Sequence, residues 1–249
     1  MRHTRVYTDH KLLPGQEVIL GKAVAHYLSR VLRLAVNEPV ILFNGDGSDY
    51  PAAIETFHKN QVRLSVRQRQ AAVKESPLKL TLGLAVSRGE RMDYSLQKST
   101  ELGVRLFQPL ISERVEVKLK GVRLAKRMDH WRAVIISACE QSGRAKLPEL
   151  LPLMNLDEWL EQAANPPRLV LQPGADQSIY QLSNPLPAVE LLVGPEGGFT
   201  IEEISKAKEN GFLTAGIGNL ILRAETVPIS VLTILQYEAG NLGFDGALL

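Results

Sequence analysis

The chain has 249 residues, 45% of them hydrophobic and 22% charged, which suits one large or two modest globular domains and excludes a disordered or collagen-like chain. Its single cysteine, Cys139, excludes an internal disulfide and a Cys-rich metal site, and its five histidines lack metal-ligand spacing. The net charge of +2 is uneven: residues 1–75 carry +4, residues 76–146 carry +7 and residues 147–249 carry −9, so the first 146 residues have the electrostatic footprint of a polyanion binder.

Short β-rich runs open the chain: Val18–Leu20, Val40–Phe43, Ala52–Phe57 and Val62–Val66, separated by the turn clusters Asn44-Gly45-Asp46-Gly47 and Lys59-Asn60. One helix is predicted among them, Ala23–Leu34, with Val24, Leu28, Val31 and Leu32 on one face and Arg30 and Arg33 off it. Short strands around one helix imply a small barrel-like domain. The polar stretch Gln70–Leu78, which contains Ser76-Pro77, reads as a linker. It separates a first domain over residues 1–72 from a second over 73–249.

Beyond the linker, apolar strands alternate with helices. Leu80–Val86 is a strand buried on at least one face, Met92–Leu102 a helix stopped by Gly103, and Leu106–Ile111 the next strand. Leu124, Met128, Trp131, Ile135 and Ala138/Cys139 follow helical spacing, which makes Cys139 a core thiol and not a nucleophile. Leu169–Leu171, Leu191–Val193 and Ala215–Ile217 are short strands. The helix Ile229–Ala239 is apolar almost all round, as at a subunit interface. This β-then-α order predicts an α/β fold with a parallel sheet covered on both faces. No apolar run reaches the roughly 18–20 residues of a membrane span. Met1–Arg5 leads into no signal-peptide apolar segment. A soluble, cytoplasmic protein with no membrane partner is expected.

Three of the predicted strands run into Gly/Pro turns. The first is Leu171-Gln172-Pro173-Gly174. The second, Gly194-Pro195-Glu196-Gly197-Gly198-Phe199, precedes Thr200 and Glu203, a capping-box pattern. The third runs from Gly216-Ile217-Gly218 to Pro228, which sits near a first helical turn. The Lys-Ser/Thr of a P-loop and the Gly-x-Gly-x-x-Gly of a dinucleotide fold are both absent, which argues against a nucleoside triphosphate or NAD. Ligands of open α/β sheets bind outside the carboxyl ends of the strands, where all three turns would lie.

Gly194-Pro195-Glu196-Gly197-Gly198-Phe199 and Ile221-Leu222-Arg223-Ala224-Glu225-Thr226 resemble the signature of the RsmE family, bacterial 16S rRNA (uracil-N3)-methyltransferases of the SPOUT superfamily. Further segments resemble the family in the same order. They are His26–Arg33, Leu42-Phe43-Asn44-Gly45, Gln97-Lys98-Ser99-Thr100-Glu101-Leu102-Gly103-Val104, Ser112-Glu113-Arg114 and Ala138–Arg144. The likeness runs nearly end to end. It departs from the family at Leu220, where a basic residue is usual, and at Val227-Pro228.

The resemblance implies an N-terminal PUA-like barrel that grips RNA and a C-terminal SPOUT α/β domain with a deep trefoil knot. It implies S-adenosylmethionine as methyl donor, no metal, and a homodimer. The implied target is one uridine of 16S rRNA, conventionally numbered 1498, in the small ribosomal subunit. The residues implied for the donor are Leu171, Gln172, Pro173, Leu192, Gly194, Pro195, Glu196, Gly197, Gly198, Ile217, Gly218, Ile221, Leu222, Ala224 and Thr226. Arg144, Arg223 and Glu225 are candidates for chemistry at the base. Arg5, Arg30, Arg33, Arg88, Arg91, Lys98 and Arg114 are candidates for RNA contact.

Overall fold

The computed structural model describes residues 4–117, 120–162, 166–175, 178–179, 187–238 and 242. The chain forms two compact units, one of Met1–Glu75 with Ile136–Leu147, the other of Ser76–Ile135 with Pro148–Leu249. The segment 136–147, placed with the second domain by sequence, therefore packs in the first. Cys139 and Ala145 bury against Phe43, with Tyr7, Ala72 and Leu147 around them.

The first unit is one six-stranded sheet. Its strands are β1 (Thr4–Tyr7), β2 (Glu17–Leu20), β3 (Pro39–Phe43), β4 (Ser48–His58), β5 (Gln61–Val66) and β6 (Gln70–Ala71). The order is β1-β3-β4-β5-β2, with β6 paired to β4; β1 runs parallel to β3 and the other pairs are antiparallel. Alternate residues of these strands, among them Val6, Val18, Leu42, Ile54 and Leu64, meet Leu28 in one core.

The predicted helix Ala23–Leu34 is shorter and wider than its periodicity suggests. Only α1 (Lys22–His26) is α-helical, and Tyr27–Val31 continues as a π-helical turn closed by Leu32 N–H donating to the Tyr27 carbonyl at 2.9 Å. Ser29 Oγ donates to the Ala25 carbonyl (2.6 Å), and Arg33 adopts a left-handed φ of 55° that ends the segment. Side-chain back-bonding and one left-handed residue thus override the 3.6-residue pattern.

The second unit holds a parallel sheet of seven described strands: β7 (Lys79–Ala85), β8 (Leu106–Ile111), β9 (Glu149–Leu150), β10 (Met154–Asn155), β11 (Arg168–Leu171), β12 (Ala188–Val193) and β13 (Phe212–Ala215). The order is β10-β8-β7-β12-β11-β13, with β9 on β8. Strand residues alternate between two cores. Leu80, Leu82, Leu84, Leu169, Leu191 and Val193 pack with Met92, Leu96, Trp131, Val231 and Leu232. These last come from α2 (Glu90–Glu101), α3 (Gly121–Ser142) and α6 (Thr226–Glu238). Leu110, Val170, Leu192 and Phe212 pack on the other face with α4 (Leu156–Leu160) and α5 (Ile201–Glu209). The expected two-faced burial is what the period of two requires when both faces are covered.

β1, β6, β9, β10 and α4 had no counterpart in the sequence reading; all five are four residues or shorter except α4, which has five. β13 ends at Ala215, so Ile217 lies in the turn beyond it. α6 starts three residues before the predicted Ile229, with Pro228 in its first turn, and the predicted end at Ala239 lies outside the described residues. Its Pro228, Val231, Leu232 and Gln236 are buried, whereas Tyr237 is 66% exposed. Buried Gln236 pins it, accepting from Ser76 Oγ (2.7 Å) and donating to the Leu102 carbonyl (2.7 Å).

Candidate active site

β12, β11 and β13 are parallel neighbours in the sheet, so the turns that follow them emerge side by side at one edge. Together these turns wall a cleft of about 410 Å³, and a much smaller recess shares Leu171, Gln172, Pro173, Leu222 and Val227 with it. Pockets of roughly 300–1000 Å³ with mainly apolar walls suit a small organic ligand. Leu171, Val193, Phe199, Ile221, Leu222 and Val227 provide the apolar surface here.

Backbone geometry shapes the rim. Gly198, with φ +67°, closes the second turn, its N–H donating to the Pro195 carbonyl at 2.9 Å. At Gly194 a Cβ would stand 3.2 Å from the Phe199 ring, so only glycine lets that ring fold back over the turn without displacement. Thr200 and Glu203 make the full capping box expected of them, which starts α5 immediately behind the turn. Gln172 N–H donates to the Ala215 carbonyl (3.0 Å), holding the first turn to the root of the third.

Of the residues implied for the donor, Leu171, Gln172, Pro173, Gly194, Pro195, Glu196, Gly197, Gly198, Ile221, Leu222 and Ala224 line the cleft. Ile217 and Gly218 line the adjoining recess. Two do not fit. Leu192 faces the opposite side of the sheet, 1% exposed among Leu110, Trp159 and Ile204, because strand residues alternate; Val193 is the one that reaches the cleft. Thr226 starts α6, and its N–H is used by the Arg223 carbonyl (2.9 Å). Phe199, Ile204, Val227 and Arg114 line the cleft without having been assigned to it. Phe199 closes a motif already singled out, whereas Val193 ends an uninterrupted apolar run that carries no parity.

The arginines divide sharply. Arg5, expected at RNA, has a side chain only 7% exposed: it pairs with Asp49 at 2.5 Å, donates to the Arg144 carbonyl (3.2 Å) and lies 4.8 Å from the Phe43 ring centre. Arg144, expected in catalysis, is 8% exposed in the first unit and grips Glu75 with Nη2 and Nε at 2.7 and 3.2 Å. It is not among the cleft residues. Both arginines do structural work, as buried pairs must when an orphaned charge is so costly. Arg30 and Arg33 are exposed. Lys98 pairs with Glu101 at 2.9 Å along α2.

Arg114 donates to the Gly197 carbonyl at 2.7 Å and so lies on the cleft wall. Arg88 pairs with Glu116, and its N–H donates to Glu196 Oε1 at 3.0 Å. Arg91 donates to the same oxygen at 2.9 Å and stands 3.9 Å from Glu225. Partial burial raises the Glu196 carboxyl, but its own N–H, Arg91 and the Arg88 N–H outweigh that and hold it below the usual carboxylate range. Arg223 is exposed, and its carbonyl caps the start of α6. Burial pushes the Cys139 thiol up to about 12, which fits an inert core residue.

A glycine-rich cleft at the carboxyl edge of a parallel sheet, with cations at its rim, defines a small-ligand site of the α/β type. Residues 74–236 match the RNA methyltransferase domain family, and residues 20–67 match the RNA methyltransferase PUA domain. The protein is thus an RNA methyltransferase by class. A ribosomal RNA small subunit methyltransferase E from Buchnera aphidicola (subspecies Schizaphis graminum) is 34% identical over 97% of this chain and 98% of its own. The chain belongs to the ribosomal RNA small subunit methyltransferase E family. A methyltransferase from Legionella pneumophila, solved with S-adenosylmethionine bound, is 39% identical and superposes with a TM-score of 0.90 over 95% of this chain and 98% of that one. The corresponding enzyme E from Neisseria gonorrhoeae, also solved with S-adenosylmethionine, is 37% identical with a TM-score of 0.86 over 94% and 97%. No described helix is long and apolar enough to cross a membrane.

Proposed function

We propose that this protein transfers the methyl group of S-adenosylmethionine to N3 of one uridine of 16S rRNA, the base conventionally numbered 1498. The observation that carries the reading is the convergence of the three strand-end turns on a single cleft. Two relatives at 37–39% identity hold that donor. The cleft fits it: the backbone of Gly194–Gly198 forms the wall, glycine is needed at 194 to keep Phe199 in place, and the remaining surface is mostly aliphatic. Gln172, Pro173 and the 194–198 backbone would hold the polar parts, and Leu171, Ile221 and Leu222 the apolar ones.

The donor's sulfonium supplies an already activated methyl group, so no metal is required. The protein's task is position and charge. Uracil N3 carries a proton at neutral pH, and its removal leaves an anion spread onto the base oxygens. Arg114 on the cleft wall and exposed Arg223 are the cations assigned to that anion. Glu225, whose side chain is 16% exposed, is the carboxylate assigned to receive or orient the proton. N3 lies on the pairing edge, so the uridine must be unpaired or flipped out.

The first unit is read as the PUA-like barrel of the family, with exposed Arg30 and Arg33 reaching RNA phosphates. The second is read as a trefoil knot and the assembly as a homodimer acting in the cytoplasm. The support for the knot is that Ile221, Leu222, Ala224 and Val227 share one cleft with the turns after β11 and β12 before α6 packs beside α2. Mass mapping of 16S rRNA from a strain lacking the gene tests the reading. We expect one uridine to lose one methyl group and to regain it on complementation; a full methylation map in the deletion strain contradicts it.

A further inference from the structure

Arg91 was expected at RNA, yet protein carboxylates already hold it. It lies in the first turn of α2, with Nη1 2.9 Å from Glu196 and Nε 3.9 Å from Glu225. Glu196 belongs to the turn after β12 and Glu225 to the turn before α6, and both turns wall the cleft. The Glu196 oxygen also accepts the Arg88 N–H, so the β7–α2 loop is tied twice to the second turn. Gly89, at φ 58°, supplies the left-handed step between these two donors. Three segments far apart in sequence therefore meet at one guanidinium.

Arg91 and Glu196 side chains are 45% and 31% exposed, and exposed ion pairs add little to global stability. What the contact does provide is a fixed spacing between two turns that have no regular secondary structure of their own. We propose that Arg91 is a positioning residue that clamps the turn after β12 and the turn before α6 in the arrangement the ligand needs. Preorganisation of this kind improves affinity by lowering the cost of ordering loops on binding. The inference rests on reading the cleft as the donor site. It assigns the arginine to the protein's own carboxylates instead of to the nucleic acid.

The test uses the full chain and the variants Arg91→Ala, Arg91→Lys and Glu196→Gln. Hydrogen exchange of the free protein should be faster in Arg91→Ala across residues 194–199 and 219–227, and unchanged in β7 and β8. Calorimetry with S-adenosylmethionine should show binding weakened about tenfold, the order expected when a coupling contact is removed. Arg91→Lys should recover part of the loss, since an ammonium reaches one carboxylate but does not bridge two. Glu196→Gln should be milder than Arg91→Ala, because an amide oxygen still accepts from Arg88 and Arg91. A merely structural role would lower Tm and leave the donor Kd alone. Unchanged exchange in both turns, or an unchanged Kd in a protein that binds the donor, overturns the clamp. Wild-type protein that binds no donor at all overturns the donor-site reading instead, and the exchange comparison then decides the clamp by itself.

Discussion

The two edges of the second unit's sheet treat arginine in opposite ways. Where β11 begins, Arg168 is 7% exposed, pairs with Glu190 at 2.9 Å, donates to the carbonyls of Trp159, Leu160, Gln162 and Asn210, and lies 4.2 Å from the Phe212 ring centre. Where β12 ends, Arg91 shares two carboxylates at the rim of a cleft and remains 45% exposed. The first arrangement uses nearly every donor of the guanidinium and fixes the ends of α4 and α5 to the sheet. The second leaves the charge accessible and the segments it joins irregular. One edge is built for stability and the other for binding, as expected when ligands gather at the carboxyl ends of parallel strands.

Breaking the buried edge should have the largest effect. Arg168→Ala leaves Glu190 without its cation and takes a donor from the carbonyls of Trp159, Leu160, Gln162 and Asn210, and removing one partner of a buried pair costs about 3–5 kcal/mol; urea unfolding should show a loss of that order. Next comes the middle of the sheet. A Cβ on Gly83 would lie 2.4 Å from the Trp159 ring, so Gly83→Ala should cost roughly 1–3 kcal/mol by overpacking, measured as a lower Tm. At the cleft edge, Gly194→Ala meets only the Phe199 ring at 3.2 Å. It should cost about 1 kcal/mol or less in stability while weakening donor binding in calorimetry more than Gly83→Ala does. Equal binding losses in the two glycine variants would erase the contrast between edges.

The smallest effect is one of pH. Glu196 is held below its ordinary range, so its contribution is present above the unfolded carboxylate value, about 4.3, and is lost as pH falls through the folded value. The Arg91–Glu196 coupling from a double-mutant cycle should therefore be flat from pH 6 to 8 and shrink below about pH 4. A coupling that grows in acid contradicts that sign. In the first unit Glu140 has the opposite sign. Burial outweighs the Tyr7 N–H and Arg5 and raises its carboxyl, so stability falls as pH rises from the unfolded value toward the folded one. Glu140→Gln should make the protein more stable to urea at pH 7, with the gain gone in acid.

Much of this was legible in residue order, for reasons that can be named. Apolar runs such as Leu80–Val86 and Leu191–Val193 announce strands covered on both faces, and the Thr200–Glu203 pattern announces the start of α5. The three Gly/Pro turns could be placed at one edge because parallel strands share a direction. Leu192 was misassigned to the cleft because an uninterrupted apolar run carries no parity, and only packing against Trp159 decides which way it faces. Arg5, Arg144 and Arg168 could not be told from solvated arginines, since their partners Asp49, Glu75 and Glu190 lie 22 to 69 residues away. The π-helical turn at Tyr27–Val31 was hidden for a local reason, an apolar stripe that looks the same on either helix until a serine bonds its own backbone.

The cleft where the turns after β11, β12 and β13 meet carries the assigned function. A crystal structure of this protein with S-adenosylmethionine tests it directly. We expect the donor seated between Gln172-Pro173, Gly194–Gly198 and Ile217–Leu222, in contact with all three turns. A donor bound elsewhere, or touching only one of them, would contradict it.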